Sequence, residues 1–215
     1  MRSLDRGPAV RASAVRDTLA YLDKFEAGSR ARVLERVPAE ARAIIESTPG
    51  TDWISVEHDH WTVDAIIEVL GRPRAIQCWR GALGNLVERP LLRSFVSATL
   101  KALGRNPVGV VRLLAKGWPL VYRDVCEPKL IATVDGQPTI RFDHIAPAVQ
   151  RYRNYLDSWY GGVQGFADLA GVRGHVELEV APDVSWAEAK FFWNEHERTP
   201  KELKQQQSGN AGTKA

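Results

Sequence analysis

Residues 145–166 read IAPAVQRYRNYLDSWYGGVQGF. Ile145, Val149, Tyr152, Leu156, Trp159, Val163 and Phe166 fall at alternating steps of four and three. That spacing lays an apolar stripe along one helix face, so the stretch predicts a single long amphipathic rod ending near Gly171. On its C-terminal side the period changes to two. Val176, Leu178 and Val180 alternate with His175, Glu177 and Glu179. Ala187, Ala189, Phe191 and Trp193 then alternate with Glu188, Lys190 and Asn194. These read as two half-buried strands joined through Pro182-Asp183. On the N-terminal side, β-rich runs at 130–134 and 139–142 flank Asp135-Gly136-Gln137-Pro138, a hairpin signature. The order strand–strand–helix–strand–strand predicts one four-stranded antiparallel sheet with a helix packed on a face.

The first two-thirds of the chain are helical in pattern. A helix is expected over 10–27, closed by Gly28, then a short one capped by Ser29 and running to 37. Pro38 opens a third over 39–47, and Thr48-Pro49-Gly50 turns the chain into an extended entry at 53–56. Asp59 is placed to cap a helix over 60–70, with Val63, Ile66, Ile67 and Leu70 on one face and Gly71 as its C-terminal cap. Three more helices follow, at 73–88, 91–103 and from Pro107 to at least Lys116, with Pro119 kinking or ending the last. The fold class is therefore α+β, a mostly helical N-terminal two-thirds packed with the four-stranded sheet. Residues 9–197 are expected to form a single domain, between a disordered N-terminus at 1–8 and a disordered polar tail at 198–215.

The bulk numbers set limits. With 215 residues, 44% apolar and 26% charged, the chain has ordinary globular composition and can bury a core. Cys78 and Cys126 are its two cysteines, too few for a disulfide framework. No run of about 18 apolar residues occurs, and the N-terminal residues lack the apolar core of a secretory leader. A cytoplasmic protein is expected. The net charge of +3 is modest, but its layout is uneven. Residues 72–123 hold ten basic side chains against the single acid Glu88, and residues 174–197 hold six acids against Lys190. Such segments neutralise one another or stand solvated; alternatively the basic helices present a face to an anionic partner.

Signatures of chemistry are sparse. There is no phosphate-binding glycine loop, no nucleophile elbow and no dinucleotide fingerprint. His58-Asp59-His60 is the most metal-like element, yet a site needs three or four convergent ligands, and Cys78, Cys126, His144 and His175 stand at no recognised spacing. No metal is expected. Glu177 and Glu179 share the outward face of a strand, and neither cysteine has a histidine and acid nearby in sequence. Gly161 and Gly165 inside a helix call for a reason; close approach of another element is the favoured one, and room for a ligand beside Trp159 the alternative. Arg151-Tyr152-Arg153-Asn154-Tyr155 interleaves aromatic and basic residues, but Tyr152 belongs to the apolar stripe, and no nucleic-acid-binding signature accompanies it.

From Phe25 to Trp193 the order of features resembles a paralogous family of uncharacterised myxobacterial proteins. The residues that carry the likeness are Arg32-Val33-Leu34-Glu35-Arg36-Val37-Pro38-Ala39-Glu40, Asp52-Trp53-Ile54-Ser55-Val56, the helix before Trp118-Pro119, Gly161-Gly162-Val163-Gln164-Gly165 and the strand end Phe192-Trp193. That family is similar in layout to vinyl-reductase-type and haem nitric-oxide-binding sensory domains. The resemblance implies helices packed on a four-stranded antiparallel sheet and a small-molecule sensory role. It supplies no catalytic residue. None of His58, His60, His144, His175 and His196 matches the axial-ligand role a haem domain needs, so no cofactor is expected.

The expected function is a non-enzymatic regulatory module that binds a small molecule or a protein partner. A small anionic or aromatic ligand would sit between residues 107–122 and the long helix, where Arg112, Tyr122 and Trp159 meet. The alternatives are a scaffold or adaptor that binds an anionic partner, nucleic acid or membrane surface through the basic 72–123 helices, and an enzyme of unrecognised class working near His58-Asp59-His60 or Glu177 and Glu179. A nucleic-acid partner is not the expectation, and the sequence leaves the oligomeric state open.

Overall fold

Ala9–Arg11 forms a strand (β1) in the computed structural model, which describes residues 7–87, 93–94, 96–98, 107–134, 137–169 and 172–198. The sequence pattern placed Val10 and Arg11 in a helix. The correction has a tertiary cause: β1 is the middle strand of a three-stranded sheet, antiparallel to Trp53–Ser55 (β2) and to Tyr122–Arg123 (β3). Pairing on both edges, with Ala9 and Val10 buried, overrides the local preference. The strands β2 and β3 lie 67 residues or more apart in sequence, so no hairpin spacing announces this sheet.

Helices Ala12–Phe25 (α1), Ser29–Arg36 (α2) and Ala39–Ser47 (α3) follow, the last with Pro38 at its N-cap. Gly28 lies outside the first helix at φ 76°, where a side chain would be strained. Ser29 does not cap: its hydroxyl donates to the Leu22 carbonyl at 2.8 Å and fastens α2 to α1. Val56–Leu70 (α4) begins four residues before the expected start, because the Ser55 side chain accepts from the Glu57 N–H at 3.2 Å. Asp59 is thus not a cap but a buried residue inside the helix. Gly71 closes α4 with φ 76°, as expected.

Arg72–Val87 (α5) and Pro107–Val121 (α6) carry the described part of the basic segment. Pro119 does not end α6, which continues through it to Val121. Trp118, immediately before, is buried among Tyr122, Phe142 and Trp159, which holds the helix end in place. The helix expected at 91–103 lies largely outside the described residues, as do the N-terminal stretch 1–8 apart from residues 7–8 and the tail 198–215 apart from Arg198.

The second sheet consists of Glu127–Val134 (β4), Gln137–Asp143 (β5), Val172–Val180 (β6) and Ala187–Arg198 (β7), in the order β4-β5-β7-β6 with all pairs antiparallel. Its core face carries Ile140, Phe142, Val176, Ala187, Ala189 and Phe191, all buried. The α+β class and the two paired hairpins stand as read from the sequence. The rod between them does not. It is two helices, Pro147–Arg151 (α7) and Tyr155–Leu169 (α8). The break is fastened to α4: the Tyr152 hydroxyl donates to Glu57 at 2.5 Å, its ring stacks on His60 with centroids 3.7 Å apart, and the Asn154 amide donates to Asp64 at 2.9 Å.

Helix α8 lies against α5 at backbone contact. A Cβ on Gly161 would stand 2.6 Å from the Ile76 carbonyl oxygen and 2.7 Å from Trp79 Cβ, and one on Gly165 would stand 2.6 Å from the Arg80 carbonyl oxygen. Close approach is therefore the reason for both glycines. Two ion pairs flank the contact, Arg72 with Asp157 and Arg80 with Asp168. Arg74 pairs with Glu26. The arginines of α5 are thus matched by acids of neighbouring helices, whereas acids of the strands pair with Arg141 and Lys190 inside the sheet.

Candidate functional site

Helices α1, α4, α5, α6 and α8 leave a cavity of about 160 Å³ between them, with β1 and β3 at one end. Each helix contributes side chains at helical spacing: Asp59, Thr62, Val63 and Ile66 from α4, Leu114, Gly117, Trp118 and Val121 from α6, and Ser158, Trp159, Gly162, Val163 and Phe166 from α8. Val10 of β1 and Tyr122 of β3, which face each other across the strand pair, complete the wall.

One side is aromatic. The Trp118 ring stacks on Tyr122 with centroids 4.3 Å apart and meets Trp159 edge-on at 5.2 Å. Tyr122 and Trp159 are 6.1 Å apart. Behind them, Phe142 and Tyr155 pack on Trp159 at 5.7 and 6.2 Å. Such edge-to-face and offset geometry makes a stiff wall.

The other side holds buried polar groups. The Asp59 carboxylate accepts a hydrogen bond from the Tyr155 hydroxyl. Burial pushes its pKa up to about 6, with that hydrogen bond opposing the rise. Burial likewise pushes the Tyr122 and Tyr155 phenols far above their ordinary values, with the Asp59 charge adding to the effect. Thr62 Oγ1 and the Trp159 indole N–H are buried without a hydrogen-bond partner. Orphaned groups of this kind are uncommon in folded proteins and are costly unless something meets them. Asp17 also lines the cavity and has interactions of its own. No lysine, arginine or histidine lines it among the described residues.

Of the residues singled out in the sequence, Tyr122 and Trp159 come together here, while Arg112 stands exposed on the outer side of α6 and does not reach the cavity. His58 and His60 are both on α4, two residues apart and so on different sides, and the His60 ring is taken up by Tyr152. No group of three His, Cys, Asp or Glu side chains able to hold a metal occurs among the described residues. Glu177 and Glu179 are exposed, and Glu179 is paired with Lys190. Burial pushes the Cys78 thiol up to about 12 and raises that of Cys126, which is the opposite of what a nucleophile needs. Among the described residues no helix is long and apolar enough to cross a membrane.

Sequence reasoning read Asp59 as a helix cap and missed Thr62 and Tyr155 as site residues. A signal existed for Asp59. Val56, Asp59, Val63, Ile66 and Leu70 follow steps of three and four, so Asp59 occupies a position on the apolar face.

No protein-family profile matches the chain, and no curated protein matches it. Solved structures do. An Fe(II) unliganded H-NOX protein mutant from K. algicida aligns over 86% of this chain and 97% of its own, with a TM-score of 0.55 and 8% identity. A Cs H-NOX mutant carrying 4-cyano-L-phenylalanine aligns over 88% and 99%, with a TM-score of 0.52 and 13% identity. The chain has the H-NOX fold.

That fold raises the question of haem. The cavity residues do not fit it. An axial ligand is a histidine, thiolate, thioether or tyrosinate. No His, Cys or Met side chain lines the cavity among the described residues, and Tyr122 is held protonated far above its ordinary range. No basic side chain among the described residues lines the cavity to meet haem carboxylates, and the volume of about 160 Å³ is near that of a benzene-sized cavity.

Proposed function

We propose that this chain is a non-catalytic regulatory module that takes a small molecule into the cavity between α1, α4, α5, α6 and α8. One observation carries the reading: the cavity combines a preformed aromatic wall with two buried polar groups, Thr62 Oγ1 and the Trp159 indole N–H, that have no hydrogen-bond partner among the described residues. A void of about 150 Å³ in a protein core accepts benzene, so this one suits a single ring with a short substituent. The H-NOX fold supports the same sensory role.

A route to the surface accompanies the cavity. Tyr122 lines it and pairs with Val10, and Arg123 next in the chain pairs with Ala9. The guanidinium groups of Arg11 and Arg123 both lie over the Trp53 ring, at 3.8 and 5.1 Å from its centroid. A ligand that moves Tyr122 therefore repositions a three-strand sheet and its half-buried cation–aromatic cluster. This is where a regulated partner would read the bound state.

The test is thermal stability of the full chain against a panel of single-ring compounds. A ligand at one hundred times its dissociation constant adds about 2.7 kcal/mol, a shift of several degrees. Gly162→Leu supplies the control. A Cβ at Gly162 meets no atom within 4 Å, and the residue lines the cavity, so the longer side chain fills the space and abolishes the shift. Stabilisation that persists unchanged in Gly162→Leu would place binding elsewhere and overturn the reading.

A further inference from the structure

We propose that the cavity selects a protonated amine carried on a small aromatic or alicyclic body, with the ammonium group received by the Asp59 carboxylate. The inference rests on the reading of this cavity as a small-molecule site and names the ligand class.

Among the described residues the charged side chains that line the cavity, Asp59 on α4 and Asp17 on α1, are both acids, and Asp17 has interactions of its own. Asp59 is buried and lines the wall, and its hydrogen-bond partner among the described residues is the Tyr155 hydroxyl. That phenol neutralises no charge. The groups that face Asp59 from neighbouring elements are Tyr155 on α8 and Tyr122 on β3, both acids when they titrate at all. No cationic side chain among the described residues lines the cavity to compensate it. A buried, uncompensated carboxylate is costly, and folded proteins retain few of them without a use.

The opposite wall matches a cation as well. The rings of Trp118, Tyr122 and Trp159 border the space, and their negative faces attract an ammonium or its polarised neighbouring methylenes. Thr62 Oγ1, unpartnered and 2% exposed, gives a second oxygen acceptor for an N–H. The desolvation of the carboxylate has already been borne in folding, so an incoming amine sheds only its own water. A carboxylate or phosphate ligand, by contrast, would be pressed against Asp59 with no counter-charge at hand. The sequence offered an anionic or an aromatic ligand, and Arg112, the basic residue named for that site, lies outside the cavity.

The experiment compares three probes of one shape, benzylamine, benzyl alcohol and benzoate, by tryptophan fluorescence titration of the full chain, with benzene as a bare-ring reference. At about pH 8, where Asp59 is ionised and benzylamine protonated, benzylamine is expected to bind at least about tenfold more tightly than benzyl alcohol, and benzoate not to bind. At about pH 5 the preference disappears as Asp59 takes a proton. In Asp59→Asn it is absent at both pH values; the pH series on the unaltered chain gives an answer that does not depend on that variant. Equal or tighter binding of the alcohol, any binding of benzoate, or a preference that survives in Asp59→Asn overturns the amine inference and leaves the cavity reading standing. So does binding of benzene with none of the three substituted probes. Failure of all four compounds to bind overturns both.

Discussion

The Tyr155 hydroxyl donates to the Asp59 carboxylate across a sequence separation of 96 residues, joining α8 to α4 at the cavity wall. This bond stabilises the ionised acid, but burial outweighs it, and the net effect lifts the pKa of Asp59 to about 6. The unfolded chain titrates near the ordinary aspartate value of about 4. Between these values the folded protein holds a proton that the unfolded chain has lost, so stability falls as pH rises from about 4 to about 6 and stays lower above. Asp59→Asn keeps an oxygen for Tyr155 and removes the charge. Its expected effect is a gain on the order of 2 kcal/mol at neutral pH and little change near pH 4. Denaturant unfolding at several pH values reads this directly; a variant less stable than the parent at neutral pH would refute it.

The contact between α5 and α8 leaves no space for a methyl group at two positions. Gly161→Ala and Gly165→Ala each drive a Cβ to within 2.6 Å of a backbone carbonyl oxygen, which no rotamer change relieves. Each should lose about 1–3 kcal/mol despite the better helix propensity of alanine. Gly162, between them in sequence, faces open space, so Gly162→Ala should gain up to about 1 kcal/mol. The three variants form an internally controlled set in one thermal-unfolding series.

Arg72 holds a carboxylate that is far less exposed than itself. Its side chain is 69% exposed, while that of Asp157 is 7% exposed. Arg72→Ala strands a buried acid, and a loss of about 1–3 kcal/mol is expected, larger than for a surface pair. The double variant Arg72→Ala with Asp157→Asn should recover part of it. Urea midpoints of the single and double variants measure the difference.

Haem supplied to the purified chain should give no sharp Soret band of the axially ligated kind, because the described cavity residues include no competent axial ligand. The absorption spectrum after haemin addition and desalting decides the matter. A stoichiometric ligated spectrum would contradict the donor assignment.

Much of the second sheet was legible because its strands obey one rule: alternate residues face one core. Val176, Phe191 and Ala189 needed no partner to be recognised as inward-facing. The central helical rod was misread where a tertiary contact intervened. Tyr152 keeps the spacing of the apolar stripe, but its ring and hydroxyl are claimed by His60 and Glu57 from α4, and the helix breaks to let them meet. The same limit hid β1, whose partners are distant in sequence. For the site, Tyr122 and Trp159 could be named together as bulky neighbours of a helix end, yet Arg112 could not be assigned a side of α6 from charge alone. Asp59 was mistaken for a cap because Asp before a helical pattern is the usual capping signal, and Ser55 had the prior claim.

The placement of Ala9–Arg11 between two other strands makes the start of the chain a keystone. Three residues tie Trp53–Ser55 to Tyr122–Arg123, and one of them, Val10, is also part of the cavity wall. Shortening the polypeptide past Arg11 would remove more than an end: it would unfasten the first helical region from the segment that leads into the large sheet, and unroof the chamber between them. A fusion or tag joined directly at Ala9 would accordingly disturb the cavity wall, and attachment at the far end leaves that keystone in place.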